Sequence, residues 1–291
     1  MHLRWLLLGA LFCTVAPLQA QQQPIDSVNV ADTTSRHAVR LRDGSTLTGR
    51  IIAVSVDSVR LRLNSGEVSL ARNAIVEVKR LSADRFRNGV YWFENPHATR
   101  LLFSSTAFPL EKGTGYYSNT WLALHTFAAG LTDRFTLGGG LAWFPGVGLD
   151  ETFYYLLPKY TLLNGKSTRV AVGALLGLLP FGNGDEASAG LLYGVGTTGS
   201  KDTNLSLGLG WGYQGGHAST NPVVMVGGQA RLSRRISLIS ENWVFPVDGE
   251  TEGIYSYGLR FLGEGLTVDF AFVSVIGESV AVPWLGFAFR F

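Results

Sequence analysis

The run Trp284-Leu285-Gly286-Phe287-Ala288-Phe289-Arg290-Phe291 decides how the rest of the chain is read. Its side chains alternate with a period of two, so Leu285, Phe287, Phe289 and Phe291 share one face of an extended strand while Gly286, Ala288 and Arg290 share the other. The first face suits hydrocarbon and the second suits a lumen, which reads as a strand stopping at a membrane surface. A half-buried strand of a soluble sandwich would alternate in the same way, so the rest of the sequence has to separate the two.

From Thr99 onward about twelve segments follow the same rule: 100 to 107, 116 to 130, 134 to 144, 153 to 163, 168 to 179, 188 to 198, 203 to 214, 222 to 232, 235 to 246, 254 to 262, 265 to 275 and 280 to 291. Most reach the roughly nine to eleven residues that a tilted strand needs to cross a bilayer. Tight connections at 132 to 133, 164 to 166, 200 to 202, 233 to 234 and 263 to 264 alternate with longer or Gly/Pro-rich ones at 108 to 115, 145 to 152, 180 to 187, 215 to 221, 247 to 253 and 276 to 279. An up-and-down transmembrane barrel with both termini on one side sorts its loops this way, and a sandwich has no reason to. The expected fold is therefore all-β, an antiparallel barrel of about twelve strands over residues 100 to 291. Leu205, Leu207, Leu209, Trp211 and Tyr213 alternate with Ser206, Gly208, Gly210 and Gly212, which sets the apolar rows against lipid and the small ones inward.

A charged residue on the lipid side would cost about 2–4 kcal/mol at the bilayer midplane. Lys159, Gln229, Arg231, Glu241, Arg260, Asp269 and Arg290 are accordingly expected to line the lumen. They either pair among themselves or form a constriction that selects solutes by charge. Glu241 with Asn242 interrupts an apolar run between Ile239 and Trp243, as a lumenal polar site or a bulge would.

Upstream, Arg4 precedes the apolar run Trp5 to Val15, then Ala16-Pro17-Leu18-Gln19-Ala20 and a polar stretch, which reads as a secretory signal over residues 1 to 20. Phe12 stands where a lipoprotein signal needs a small residue, so Cys13 is not expected to carry lipid. With Cys13 removed the mature chain has no cysteine, which excludes disulfide, thiol and cysteine-metal chemistry. Residues 21 to 37 are expected to be a flexible linker. Residues 38 to 81 carry about five short strands separated by turns such as Asp43-Gly44 and Asn64-Ser65-Gly66, enough for a small β domain. Residues 82 to 99, with Tyr91-Trp92-Phe93, read as a linker ending in an interfacial anchor.

Three resemblances extend this reading. The final run resembles the C-terminal signal strand of Gram-negative outer-membrane barrels, which implies that Phe287, Phe289 and Phe291 are read by the barrel-assembly machinery. Val39-Arg40-Leu41-Arg42-Asp43-Gly44-Ser45-Thr46-Leu47-Thr48-Gly49-Arg50-Ile51 resembles the opening hairpin of SH3-like and Sm-like folds. The segments Asn95-Pro96-His97-Ala98-Thr99-Arg100, 107 to 117 and 192 to 200 look like uncharacterised barrel proteins of Gram-negative bacteria, which implies a fold and an outer-membrane location but no reaction.

The chemistry to be excluded is limited. Sm-like relatives bind RNA and the segment is basic (Arg40, Arg42, Arg50, Arg60, Arg62, Arg72, Lys79, Arg80), but an exported domain meets no nucleic acid. An anionic periplasmic polymer or the barrel's own mouth is the better match for that charge. Of five histidines only His125 falls within a strand, near Ser118, Asn119 and Thr126, and no histidine pair has metal-ligand spacing. No cofactor and no enzymatic activity is expected. The chain is read as a passive small-solute channel or a structural membrane component, in contact with outer-membrane lipid and with its N-terminal domain in the periplasm. A lipid-modifying hydrolase and an envelope scaffold or adhesion protein are the alternatives.

Overall fold

The computed structural model describes residues 24–148, 151–178, 188–247 and 250–291, so the signal, Cys13, residues 21 to 23 and the loop expected at 180 to 187 lie outside the described residues. The chain divides into two units, Met1–Phe93 and Glu94–Phe291.

The first unit is built on β1 (Arg36–Leu41), β2 (Thr46–Val54), β3 (Ser58–Leu63), β4 (Gly66–Ala71) and β5 (Ile75–Leu81), paired antiparallel in the order β4-β3-β2-β1-β5. Alternation places Val39, Ile51, Val59, Leu61 and Val78 in one core and leaves the neighbouring arginines at the surface. Gly44 closes the β1–β2 turn at φ +84°, where a side chain would strain the backbone. The lead-in expected to be flexible is packed instead. Ile25 and Val28 cover the same core, β1 starts at Arg36, and Asp26 and Asp32 pair with Arg72 and Arg80. Burying two aliphatic side chains outweighs the polarity that made this stretch read as a linker. The basic surface is also partly neutralised, since Arg40 pairs with Glu77 and Arg62 with Glu67 besides the two pairs just named.

Residues 82 to 93 form a short hairpin, β6 (Phe86–Arg87) with β7 (Val90–Tyr91), turned by Asn88 and Gly89 at positive φ. The Arg87 guanidinium stacks 4.0 Å from the Trp92 ring.

The second unit is a closed antiparallel barrel of twelve strands. These are β8 (Gly115–Thr120), β9 (Leu124–Gly130), β10 (Phe135–Ala142), β11 (Phe153–Asn164), β12 (Thr168–Leu178), β13 (Ser188–Gly199), β14 (Thr203–Gln214), β15 (His217–Arg231), β16 (Ile236–Val247), β17 (Glu250–Leu262), β18 (Leu266–Val275) and β19 (Ala281–Arg290). β19 pairs with β8 to close the wall. The seam is finished by Gly115 and Phe291, whose backbone N–H groups each donate to the other's carbonyl at 2.9 Å. A Cβ on Gly115 would stand 2.6 Å from the Phe291 ring, so that position has no room for a side chain. We call the end at Gly115 and Phe291 the near end, and the opposite rim the far end.

The strand count agrees with the expectation through two offsetting differences. Residues 100 to 107 form no strand, only an isolated bridge between Arg100 and Ser105, and residues 116 to 130 are two strands, β8 and β9. The dividing turn holds Trp121 and Leu122 at φ +53° and +58°, a conformation normally left to Gly or Asn, so no turn residue marks it. Loop sorting is also looser than expected. The far end carries this tight turn and a second one at Gly215-Gly216. The wall is uneven as a result, six residues at β8 against fifteen at β15. Glu241 and Asn242 lie in regular pairing with both neighbouring strands, so they make no bulge.

Candidate functional site

The two faces of the barrel wall are separated residue by residue. On β14, Leu205, Leu207, Leu209 and Trp211 are 43–59% exposed on the outside, while Ser206 is fully buried within. The last strand behaves alike, with Leu285 and Phe289 outside and Trp284 and Ala288 buried inside.

Residues 94 to 114, which precede β8, run through the interior. Asn95, His97, Leu101, Thr106, Ala107 and Phe108 are each at most 1% exposed. A turn over residues 96–99, bends at 101–104 and 107, and Pro96 and Pro109, which lack an N–H, keep this stretch out of the sheet apart from the isolated Arg100–Ser105 bridge. Its polar backbone must then be satisfied by the wall, because a buried N–H or C=O without a partner costs about 1–3 kcal/mol. The lumenal charges supply those partners. Arg260, fully buried, grips the Asp269 carboxylate with Nε at 2.6 Å and Nη2 at 2.9 Å, and its remaining N–H groups donate to the carbonyls of Leu101 at 2.7 Å and of His97 and Arg100 at 3.2 Å each. Arg100 completes the cluster by donating to Asp269 at 3.1 Å. The Lys159 ammonium donates to the carbonyls of Thr106 and Phe108 at 2.9 Å each. The Glu241 carboxylate accepts the N–H groups of Phe103 at 2.9 Å and Ser104 at 3.1 Å, and the Trp243 indole N–H at 2.8 Å. Three threonines take part, adding β10 and β13: the hydroxyls of Thr136 and Thr197 accept from the amides of Leu110 and Ala107, and Thr161 of β11 donates to the Ala107 carbonyl.

The remaining residues expected in the lumen lie toward the near end. Gln229 donates to the Lys201 carbonyl at 3.0 Å, and Arg231 pairs with Asp202 at 2.8 Å. Arg290 is partly exposed and pairs with Glu111, which also takes the Lys201 ammonium, each at 3.0 Å. These seven side chains therefore do not form one layer. The Arg260–Asp269 pair, Lys159 and Glu241 hold the inner segment at three places, and Gln229, Arg231 and Arg290 tie the near rim, with the Gln229 side-chain oxygen also accepting from Arg260 at 3.4 Å. Arg100, His97 and the threonines were missed by the sequence reading. Arg100 in an otherwise apolar stretch and the flanking prolines Pro96 and Pro109 were the available signal.

His37 lies in β1 and His217 opens β15, so His125 in β9 is not alone among the histidines in lying within a strand, as the sequence suggested. His125 and Asn119 are paired across β8 and β9, and His125 Nδ1 lies 2.8 Å from the Tyr117 hydroxyl and 3.2 Å from Asn119 Nδ2. Ser118, one position away, pairs with Thr126, whose hydroxyl meets Tyr155 inside the barrel at 2.7 Å. Ser118 and His125 thus stand on opposite faces of the sheet and cannot meet as nucleophile and base. Among the described residues no cluster of three or more His, Cys, Asp or Glu side chains is placed to hold a metal.

No known family model matches the sequence, and no curated protein does. Among solved structures, the KdgM porin aligns with a TM-score of 0.47 at 10% identity, over 61% of this chain and 99% of that one. The NanC porin aligns with a TM-score of 0.40 at 8% identity, over 61% and 97%. A loop-deletion variant of OmpT, an outer membrane protein of Vibrio cholerae, aligns with a TM-score of 0.35 at 11% identity, over 89% and 97%. At these scores the likeness is too loose to carry anything over from those proteins.

Proposed function

We propose that this chain is an outer-membrane β-barrel of the porin-like class whose lumen is shut by its own residues 94 to 114, with an SH3-like module in the periplasm. The belt of exposed Leu, Tyr, Phe and Trp side chains around a closed wall supports the membrane setting, since water would leave that surface unsatisfied and lipid covers it. The order of strands in the small sheet, with β1 between β2 and β5, supports the SH3-like reading. The near end is then periplasmic, and the outward Phe287 and Phe289 of β19 are the side chains offered to the barrel-assembly machinery.

One observation carries the closed state: Arg260 is fully buried and divides its N–H groups between Asp269 and three backbone carbonyls of the inner segment. Unseating that segment would take the Arg100 guanidinium away from Asp269 and leave Arg260 without its three carbonyl partners, at several kcal/mol. Of the two roles expected from the sequence, a structural membrane component or a channel that is closed at rest fits this arrangement, and a constantly open pore does not. Liposome swelling in small sugars tests it. Folded wild-type protein, verified by heat-modifiable gel migration, gives no swelling, and a variant with residues 98 to 110 replaced by a short Gly/Ser linker swells. Equal swelling of the two proteins would overturn the closed-barrel reading.

A further inference from the structure

The sheet of the first unit has two faces of opposite character. One buries Val39, Ile51, Val59, Leu61 and Val78. The registers compose the other. Arg50 of β2 stands opposite Arg62 of β3, Arg62 opposite Glu67, Arg60 opposite Ser69, Arg40 opposite Glu77 and Lys79 opposite Ala38. His37 faces Gly49 on the core side, which sets Arg36 beside Arg50 on the outer side. Arg36, Arg40, Arg50, Arg60, Arg62 and Lys79 thus share one face with two carboxylates, Glu67 and Glu77. Both carboxylates are already engaged: Glu67 Oε1 accepts from Arg62 Nε at 2.9 Å and Nη2 at 2.7 Å, and Glu77 pairs with Arg40 at 3.0 Å. Arg36 meets neutral groups, the Asn64 side-chain oxygen at 3.4 Å and the Phe86 ring at 4.9 Å. Arg50, Arg60 and Lys79 have no acidic partner among the described residues. Like charges directly opposite on neighbouring strands destabilise a sheet, so the Arg50–Arg62 pair is a cost that an anion lying across β2 and β3 removes.

We propose that this face docks an extended, carboxylate-bearing polymer of the periplasm. Its cations are spread over strands about 4.8 Å apart, and Arg60 and Arg62 are separated by about 6.6 Å along β3. A flat array with those spacings fits a chain that repeats its anions better than it fits one small ion. The class of anion follows from the face itself, because the two anions it already holds are carboxylates, and a planar guanidinium matches a carboxylate through two N–H groups. Arg60, Arg62 and Lys79 are exposed, so a polymer reaches them without rearrangement of the sheet. The proposal rests on the periplasmic placement of this module, which protease treatment of cells tests by itself: the module is cut only after the outer membrane is opened.

Binding of poly-L-glutamate to the full chain in nanodiscs of zwitterionic lipid is measured by surface plasmon resonance, with neutral dextran as the control polymer. Wild-type protein binds poly-L-glutamate and not dextran, and the binding is lost when salt is raised from about 0.1 M to about 1 M, which shortens the screening length from about 10 Å to about 3 Å. Arg60→Glu weakens binding about tenfold or more, whereas Arg134→Gln, on the turn between β9 and β10, leaves it unchanged. Glu67→Gln frees Arg62 and strengthens binding about two- to fivefold, a gain that a misfolded module could not produce. Equal binding by wild type and Arg60→Glu, or no gain in Glu67→Gln, would overturn the proposal. So would vesicles of anionic phosphatidylglycerol bound through the same arginines in preference to poly-L-glutamate, since the face would then belong to the membrane.

Discussion

The near and far halves of one barrel interior are built on opposite principles. In the near half β10, β11, β13, β16, β17 and β18 offer charges or hydroxyls, and the space is filled by the chain's own residues 94 to 114, which these side chains hold. Toward the far half β11, β12, β13, β15 and β16 offer Leu157, Leu175, Leu191, Val223, Met225 and Trp243 around a cavity of about 60 Å³. β11 makes the change within three residues, from Lys159 bonded to the inner segment to Leu157 in the apolar lining. An inward row therefore carries no single meaning: polarity there marks where the chain must dock its own backbone, and apolarity marks where it does not.

The contrast breaks most visibly at Asp269. Asp269→Ala leaves Arg260 and Arg100 buried without their carboxylate, and the loss in urea unfolding of the micelle-bound barrel is expected at about 3–5 kcal/mol. The same experiment on the outer surface gives the next largest effect. Leu207→Arg, placed on the exposed row, should cost about 2–4 kcal/mol in bilayers. Lys159→Met removes the donor shared by the Thr106 and Phe108 carbonyls and is expected to cost about 1–3 kcal/mol. Filling substitutions sharpen the two halves against each other. Ala107→Trp, at a fully buried position of the near half, should destabilise by about 1–3 kcal/mol or more through overpacking, while Leu191→Trp, beside a cavity of about 60 Å³, should stay below that range in the same unfolding assay. The smallest effect is expected in the first unit, where Arg62 and Glu67 form an exposed pair at 2.7 Å. Arg62→Ala should cost under about 1 kcal/mol by thermal unfolding, because water already solvates both groups.

What was legible in the sequence was the outer surface. Outward rows such as Leu205 to Trp211 meet one environment along their length, so period two survives there as a pattern. The inner segment was not legible for the opposite reason. Its partners are scattered over β10, β11, β13, β16, β17 and β18, far away in sequence, and Leu101 and Leu102 are both buried because they pack inside the barrel rather than alternate across a sheet. Residues 100 to 107 read as the first alternating segment, but they bend back on themselves at 101–104. The split of 116 to 130 was hidden because Trp121 and Leu122 occupy turn positions that sequence rules reserve for Gly and Asn. The charged set was recognised as inward, but not what it holds. Arg260 and Asp269, opposite each other on β17 and β18, are a readable pair, whereas their shared grip on His97, Arg100 and Leu101 depends on a segment that no periodicity places.

Hydrogen exchange of the folded, micelle-bound protein tests the central claim most directly. The amides of Phe103, Ser104, Ala107 and Leu110 donate to wall side chains, so they should exchange about as slowly as the barrel strands and lose that protection in Asp269→Ala. Exchange of those four amides at the rate of a free peptide, with the strands still protected, would contradict a lumen closed by residues 94 to 114.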